Sequence, residues 1–325
     1  MARSASPPAA CGAACAVFGE PEAGIAPFMA LVRSASRSID LVMYELEDPA
    51  VFAVLADASR RGVAVRVILN GRFYSSPGAS FVRGNPNEMA YAALVRAGIP
   101  VRWASPGFTY THEKAMAVDG ARLLVMSFNL VPKYYPTGRD FGVIDGDLAD
   151  VAAMEEAFAA DWSAAAGGDP AAAPPGNALV WSPGSRGALV AMIAAASRTL
   201  EVYNEEMADE AVTDALAAAA RRGVAVRIVM TWAAEWVPAW RKLAAAGAKV
   251  RTYPDAANGR YIHAKMIAAD GARAFVGSEN FSATSLEENR ELGVMLADLR
   301  ALAVLRAAFE EDWGAAAPFA RGRAP

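Results

Sequence analysis

Short runs rich in β-branched residues alternate with stretches of helical period along most of the chain. Ser38 to Tyr44 and Val63 to Leu69 read as strands on either side of a helix over Val51 to Arg61, whose Arg-Arg-Gly ending supplies a C-terminal stop. Strand, helix, strand in that order predicts parallel neighbours in a core sheet covered by helices. Further on, Asp119-Gly120 and Asp270-Gly271 each sit between apolar runs and predict two-residue type I′ hairpin turns. With those as the turn residues, Val118 pairs with Ala121 and His112 lies across from Ser127. Alternation then places His112, Lys114, Ser127 and Asn129 on one face, and His263, Lys265, Ser278 and Asn280 on another.

The pattern is written twice. Leu55 to Arg66 returns as Leu216 to Arg227, 161 positions later, and at that offset Glu45 answers Glu206. Ala97 to Arg102 matches Ala246 to Arg251 at an offset of 149, and from His112 onward the offset is 151, through Phe158 to Trp162 and Phe309 to Trp313. The first half therefore carries an insertion, assigned to the Gly-, Pro-, Ser- and Asn-rich segment Gly71 to Glu88. The expected organisation is a tail over 1–17, a first lobe over 18–163, an Ala/Gly/Pro linker over 164–178, a second lobe over 179–316 and a tail over 317–325. The fold class is α/β. Two pseudo-symmetric lobes are expected, each a mixed, mainly parallel sheet flanked by helices, with a site on the axis drawing equivalent residues from each copy.

Composition narrows this only a little. Hydrophobic residues make up 54% of the 325, ample for a buried core, and the net charge of −4 with no long Lys or Arg run argues weakly against a protein that grips nucleic acid by its backbone phosphates. Cys11 and Cys15 are too close together to staple a fold of this size, have no histidine nearby for a zinc site, and read as structurally incidental. Ala9-Ala10-Cys11 loosely resembles the end of a lipoprotein signal, so an upstream start would place the protein in the envelope; as written, the default is cytoplasmic. No apolar run approaches the roughly 20 residues a bilayer demands.

The candidate chemistry lies in the two histidines, which occupy equivalent places in the repeat. His112 is followed by Lys114, Asp119, Ser127, Asn129 and Asp140; His263 is followed by Lys265, Asp270, Ser278, Asn280 and Glu291, at spacings of 2, 7, 15, 17 and 28 in both halves. Duplication explains the agreement, but not why polar residues persist while their neighbours drift, since buried polar groups cost stability unless satisfied or used. Doubled by symmetry, the lysines, amides and hydroxyls form a donor-rich pocket suited to a phosphate that gains charge as it becomes pentacoordinate. Two imidazoles on opposite sides permit in-line displacement, with Asp140 and Glu291 each free to orient one ring. No cluster of histidines, cysteines or close carboxylates suggests a metal, and no cofactor is expected. Asp119 and Asp270 also have a plain role as turn formers.

The doubled H-x-K-x(4)-D followed by G-S-x-N resembles the signature of the phospholipase D superfamily. It is carried by His112, Lys114, Asp119, Ser127 and Asn129, and by His263, Lys265, Asp270, Gly277, Ser278 and Asn280. The resemblance runs from about Phe18 to Trp313. It implies two α/β lobes with the site at their interface and a covalent phosphohistidine resolved by water or an alcohol. It further implies a metal-independent reaction with His112 as nucleophile and His263 as acid, a tie that the residues themselves leave unbroken. Two departures stand out: Met126 where the second copy has Gly277, expected to tighten the first hairpin beside the phosphate, and Asp140 opposite Glu291.

The expected substrate is a phospholipid phosphodiester, hydrolysed or transferred, with a nuclease and a cardiolipin synthase-like transferase as alternatives. Peripheral membrane contact and a monomer follow as expectations, because both half-sites lie in one chain. Trp232, Trp236 and Trp240 either line an apolar mouth for acyl chains or form a core-facing stripe broken at Pro238. Phe73, Tyr74, Phe81, Tyr134 and Tyr135 are further candidates for the border of the pocket.

Overall fold

The computed structural model describes residues 10–11, 15–73, 84–254 and 260–319. In the first half the strands are β1 (Ala16–Glu20), β2 (Ser38–Met43), β3 (Ala64–Leu69), β4 (Val101–Trp103), β5 (Lys114–Val118), β6 (Arg122–Met126) and β7 (Gly138–Asp145). In the second they are β8 (Leu179–Ser182), β9 (Thr199–Tyr203), β10 (Ala225–Thr231), β11 (Lys249–Tyr253), β12 (Tyr261–Ile262), β13 (Lys265–Ala269), β14 (Arg273–Gly277), β15 (Glu291–Leu296) and β16 (Ala317–Pro318). The sheets have the orders β1-β7-β6-β5-β2-β3-β4 and β8-β15-β14-β13-β9-β10-β11-β16, so the repeat in sequence is a repeat in topology.

Both sheets are mixed, as expected, but the weighting toward parallel pairing does not hold. Parallel neighbours within each sheet core are confined to β2-β3-β4 and β9-β10-β11. These are the strands joined through helices, such as Pro49–Arg60 and Glu210–Arg221. The hairpins pair antiparallel, because so tight a turn permits nothing else, and the strands that follow them also pair antiparallel. The helix after β2 opens on Asp48, whose carboxylate accepts from the Ala50 N–H, and closes before Gly62 at φ +90°. Glycine tolerates that left-handed backbone, so the Arg-Arg-Gly stop is a C-cap in both halves, with Gly223 at φ +92°.

Helices cover the outer face of each sheet, giving each half its own apolar cluster. A third cluster lies between the sheets and draws on both halves, with Phe141 and Val143 packed in the same core as Tyr203, Val229 and Met266. The lobes are thus fused through a shared apolar core. Two buried arginines pin it: Arg139 Nε donates to Asp312 at 2.6 Å, and Arg290 Nε donates to Asp161 at 2.8 Å. Each pair crosses between halves, and β12 crosses too, pairing parallel with Gly138 and Arg139 at the start of β7.

Both tails enter the structure. Cys11 and Cys15 are joined by a disulfide and buried. The Cys11 N–H donates to the Met295 carbonyl and its own carbonyl accepts from Ala297, so the cysteines are not incidental: they fasten the N-terminal segment to the end of β15. At the other end β16 pairs with β11. No helix among the described residues is long and apolar enough to cross a membrane.

Candidate active site

The hairpin turns form, but the register differs from expectation by one residue. Asp119 and Gly120 both have positive φ, 58° and 61°, and the Ala121 N–H closes the turn on the Val118 carbonyl. Yet Val118 pairs with Arg122, because Ala121 is an extra, bulged residue. Lys114 therefore faces Met126, and Lys265 faces Gly277. A one-residue slip exchanges faces, so Ser127 belongs to the opposite side of the hairpin from Lys114. Met126 goes into the outer core and not beside the cavity, which corrects the expected tightening. Gly277 is required for a different reason: a Cβ there would sit 2.6 Å from the Cα of Gly293.

What brings the site together is the meeting of strand ends from both sheets. His112, Asn129, Asp140, His263 and Asn280 line one cavity of about 260 Å³, together with Tyr44, Tyr134, Tyr261 and the acids Glu45, Glu205 and Glu206. His112 Nδ1 lies 2.7 Å from Oε2 of Glu291, and His263 Nδ1 lies 3.0 Å from Oδ1 of Asp140. The pairing is crossed. The backbones repeat it: the His112 N–H donates to Arg290 O at 2.9 Å, and the His263 N–H donates to Arg139 O at 3.2 Å. With Nδ1 engaged, Nε2 is the ring nitrogen left for the cavity in each case.

The remaining expected residues divide. Lys114 and Lys265 are fully buried behind the histidines, and Lys114 Nζ donates to His112 O at 2.6 Å, as Lys265 does to His263 O. Ser127 Oγ donates to Asp140 at 2.5 Å, so it supports the acid behind His263 instead of lining the cavity. Ser278 Oγ accepts from the Leu292 N–H, and the support of Glu291 falls to Ser285 and Asn289, at 2.5 and 2.9 Å. Asp119 and Asp270 are outside the cavity altogether. Asp119 accepts the N–H groups of Ser36, Arg37 and Ser38 at 2.9, 2.7 and 2.9 Å, and Asp270 does the same for Ser197, Arg198 and Thr199. Burial works against its charge, but those N–H donors hold the Asp119 carboxyl at about 2.

Electrostatics inside the cavity are uneven. Burial, with help from Lys114 and Lys265, pushes His112 down to about 4 against the pull of Glu291. Burial and the neighbouring Lys265 also lower Lys114, to about 7. For Glu205, burial would raise the carboxyl, but Lys265, His263 and the Tyr261 hydroxyl outweigh it and hold the acid well below its usual range.

Several functional candidates escaped the sequence reading. Arg139, Arg290, Asp161 and Asp312 were all visible as repeat partners at the offset of 151, with both aspartates inside the matched Asp-Trp pairs. Glu205 left a signal too: it stands opposite Tyr44 at the offset of 161, beside the matched pair Glu45 and Glu206. The tryptophans split. Trp240 is fully buried, while Trp236 lines a second cavity of about 430 Å³ that shares Tyr44, His112, Glu206 and Asn280 with the first. Pro238 opens the helix Val237–Ala245 and does not break it. Phe73 packs on Tyr44 with ring centres 4.9 Å apart, and the Tyr135 hydroxyl donates to Asp48 at 3.1 Å; Tyr74 and Phe81 lie outside the described residues. Among those residues, one set of three side chains of metal-binding type lies close together, Cys11, Cys15 and Asp145; its sulfurs are bonded to each other and none of the three lines the cavity.

Two copies of one α/β unit, each lending a histidine to a single cavity and a carboxylate to the other's histidine, define a fused two-lobe member of the phospholipase D superfamily. The chain belongs to the family described as "Cardiolipin synthase, PLD-like domain", whose model matches residues 28–162 and again 189–313. Among curated proteins it is 29% identical over 129 residues to the mitochondrial cardiolipin hydrolase of Xenopus laevis, covering 39% of this chain and 56% of that protein. It is also 30% identical over 139 residues to cardiolipin synthase A of Pseudomonas entomophila (strain L48), covering 42% of this chain and 28% of that protein. The chain thus spans little more than half of the one and about a quarter of the other. Among solved structures, phosphatidylserine synthase of Haemophilus influenzae Rd KW20 superposes with a TM-score of 0.69 at 11% identity, covering 95% of this chain and 87% of that one. Polyphosphate kinase from Porphyromonas gingivalis gives 0.67 at 15% identity, covering 92% and 47%. At such identities these two share the fold alone.

Proposed function

We propose that this chain is a phosphodiesterase that hydrolyses or transfers the phosphodiester of a phospholipid through a covalent phosphohistidine. The observation that carries this reading is the crossed pair of histidines on one cavity, each oriented by a carboxylate of the opposite half. In the proposed reaction one imidazole Nε2 bonds to phosphorus while the ester oxygen opposite departs with a proton from the other. Asn129 and Asn280, which line the cavity, supply donors for the non-bridging oxygens, and the buried Lys114 and Lys265 behind the histidines add positive charge where charge accumulates in the transition state. Water, or a second alcohol, then gives its proton to the same acid–base histidine as it displaces the first. Hydrolysis and transfer differ only in which hydroxyl enters.

The names of the relatives, a cardiolipin hydrolase and a cardiolipin synthase, support a phospholipid substrate. So does the wall of the cavity. Glu45, Glu205 and Glu206 line it, an unfavourable border for a polyanionic nucleic acid. Peripheral contact with a lipid surface and action as a monomer complete the proposal.

The test is a mixed-substrate assay in EDTA with vesicles of cardiolipin or phosphatidylcholine and, separately, with DNA and RNA. Release of phosphatidic acid or formation of a new phosphatidyl ester is expected. Cleavage of nucleic acid with both lipids untouched would overturn the substrate, and an absolute need for added divalent metal would overturn the mechanism.

A further inference from the structure

The two halves of the cavity differ at several positions, and one of them changes the charge beside a histidine. At the offset that relates Glu45 to Glu206, Tyr44 answers Glu205. Tyr44 sets its ring edge-on to His112, with centres 4.5 Å apart, and lies 4.9 Å from the Lys114 ammonium. Glu205 instead places Oε2 3.5 Å from Nε2 of His263, 3.0 Å from Lys265 Nζ and 3.3 Å from Asn280 Nδ2. It also accepts from the Tyr261 hydroxyl.

His263 therefore stands between two carboxylates, Asp140 at Nδ1 and Glu205 near Nε2, whereas His112 has Glu291 at Nδ1 and an aromatic ring beside it. The other charged group against His263 is Lys265, on the strand that follows it; Glu206 lines the same wall. Glu205 is also the counter-ion of the buried Lys265, whereas Lys114, buried as completely, has Tyr44 in that place and is lowered to about 7.

We propose that Glu205 is a positioning residue that sets a carboxylate beside Nε2 of His263, making His263 the proton donor and leaving His112 as the nucleophile. The inference rests on the phosphodiesterase reading above. In the first step the Nε2 lone pair of His112 forms a bond to phosphorus and the bond to the leaving oxygen breaks. That electron pair takes the Nε2 proton of His263, which becomes neutral as the alcohol leaves. In the second step the incoming water or alcohol gives its proton to His263 while its oxygen bonds to phosphorus, and the pair of the broken P–N bond returns to His112. Glu205 stays ionised throughout. It stabilises the imidazolium that exists before the first step and is restored by the second. The lowering of His112 to about 4, which keeps that ring uncharged near neutrality, agrees with this division.

The experiment compares two diesters that share one phosphoryl group, an alkyl ester whose leaving alcohol needs a proton and a 4-nitrophenyl ester whose leaving group departs as a stable anion. The quantity read is kcat/KM, which reports the steps up to departure of the alcohol. A positioned acid contributes roughly 10²–10⁴-fold. For Glu205→Gln the expected result is a loss on the alkyl ester at least tenfold greater than on the nitrophenyl ester. Glu205→Asp, which keeps the charge, should recover part of the difference; should the Gln variant not fold, the Asp variant carries the same comparison against wild type. Equal losses on the two esters, or a greater loss on the nitrophenyl ester, would overturn the role given to Glu205 and leave the phosphodiesterase reading standing. If wild type cleaves neither diester, both fall together.

Discussion

Glu291 Oε2 lies 2.7 Å from His112 Nδ1, and the two residues belong to opposite halves of a chain that carries the same fold twice. Neither half is complete without the other. A carboxylate at Nδ1 fixes the tautomer that leaves Nε2 free, and it stabilises the ring when charge develops there. Glu291→Gln keeps the shape and removes that charge. The expected outcome is a fall in kcat of about 10²–10⁴ with a much smaller change in KM, read by steady-state kinetics on a nitrophenyl diester. An unchanged kcat would remove the orienting role.

The crossed arginines provide a mechanical counterpart. Arg139 binds Asp312 through a fully buried contact at 2.6 Å, while its own carbonyl accepts the His263 N–H and the next residue, Asp140, holds the His263 ring. Removing one partner of a buried ion pair leaves an uncompensated charge, at a cost of about 3–5 kcal/mol. Arg139 also meets Glu22 and Asp312 also meets Arg260, so Arg139→Met and Asp312→Leu should each lower the unfolding free energy from urea denaturation by up to that amount, and the double variant should lose less than their sum. Strict additivity would mean that the pair is not coupled.

For Asp119 the prediction separates stability from chemistry. Its carboxylate fastens the hairpin turn to three N–H groups at the start of β2, away from the cavity. Asp119→Ala should cost about 1–2 kcal/mol of stability, the usual loss for a carboxylate that caps backbone donors, while turnover per folded molecule stays close to wild type. The folded-state value of about 2 is below the ordinary one, so this contribution is present above pH 4 and fades as pH falls through about 2. Chemical denaturation and activity measured on the same samples check it; a collapse of kcat at full folding would contradict it.

Glu20 acts in the opposite sense. It is fully buried, pairs in register with Asp140, and is pushed up to about 9 by burial and by the Asp140 charge. In the unfolded chain it ionises near pH 4.5, so stability must fall as pH rises from there toward 9. Glu20→Gln removes that part of the slope, on the order of 4 kcal/mol between about pH 5 and pH 8. Unfolding curves at both pH values test this; identical slopes in wild type and variant would show that Glu20 is already ionised in the folded protein.

Much of this arrangement was legible in the sequence because duplication prints each constraint twice. The equal spacings after His112 and His263 pointed to both histidines, to Asn129, Asp140 and Asn280 on the cavity and to Glu291 behind it, and the Arg-Arg-Gly repeats marked two helix ends. Hairpin register was not legible, since one bulged residue, Ala121, leaves no mark in the pattern that a two-residue turn would not also leave. The crossing of Asp140 to His263 and of Glu291 to His112 was hidden for another reason: symmetry predicts two equivalent pairs but not whether each forms within a half or between halves. Glu205 was overlooked because comparison of the halves rewards agreement, and its meaning lies in disagreeing with Tyr44.

The central claim is that two imidazoles act on one phosphorus, and trapping the intermediate tests it most directly. His263→Ala, given a nitrophenyl diester labelled at phosphorus, should accumulate label on His112 by peptide mass spectrometry, while His112→Ala should accumulate none. Label on His263 in the His112 variant, or full multiple turnover by either variant, would contradict the account.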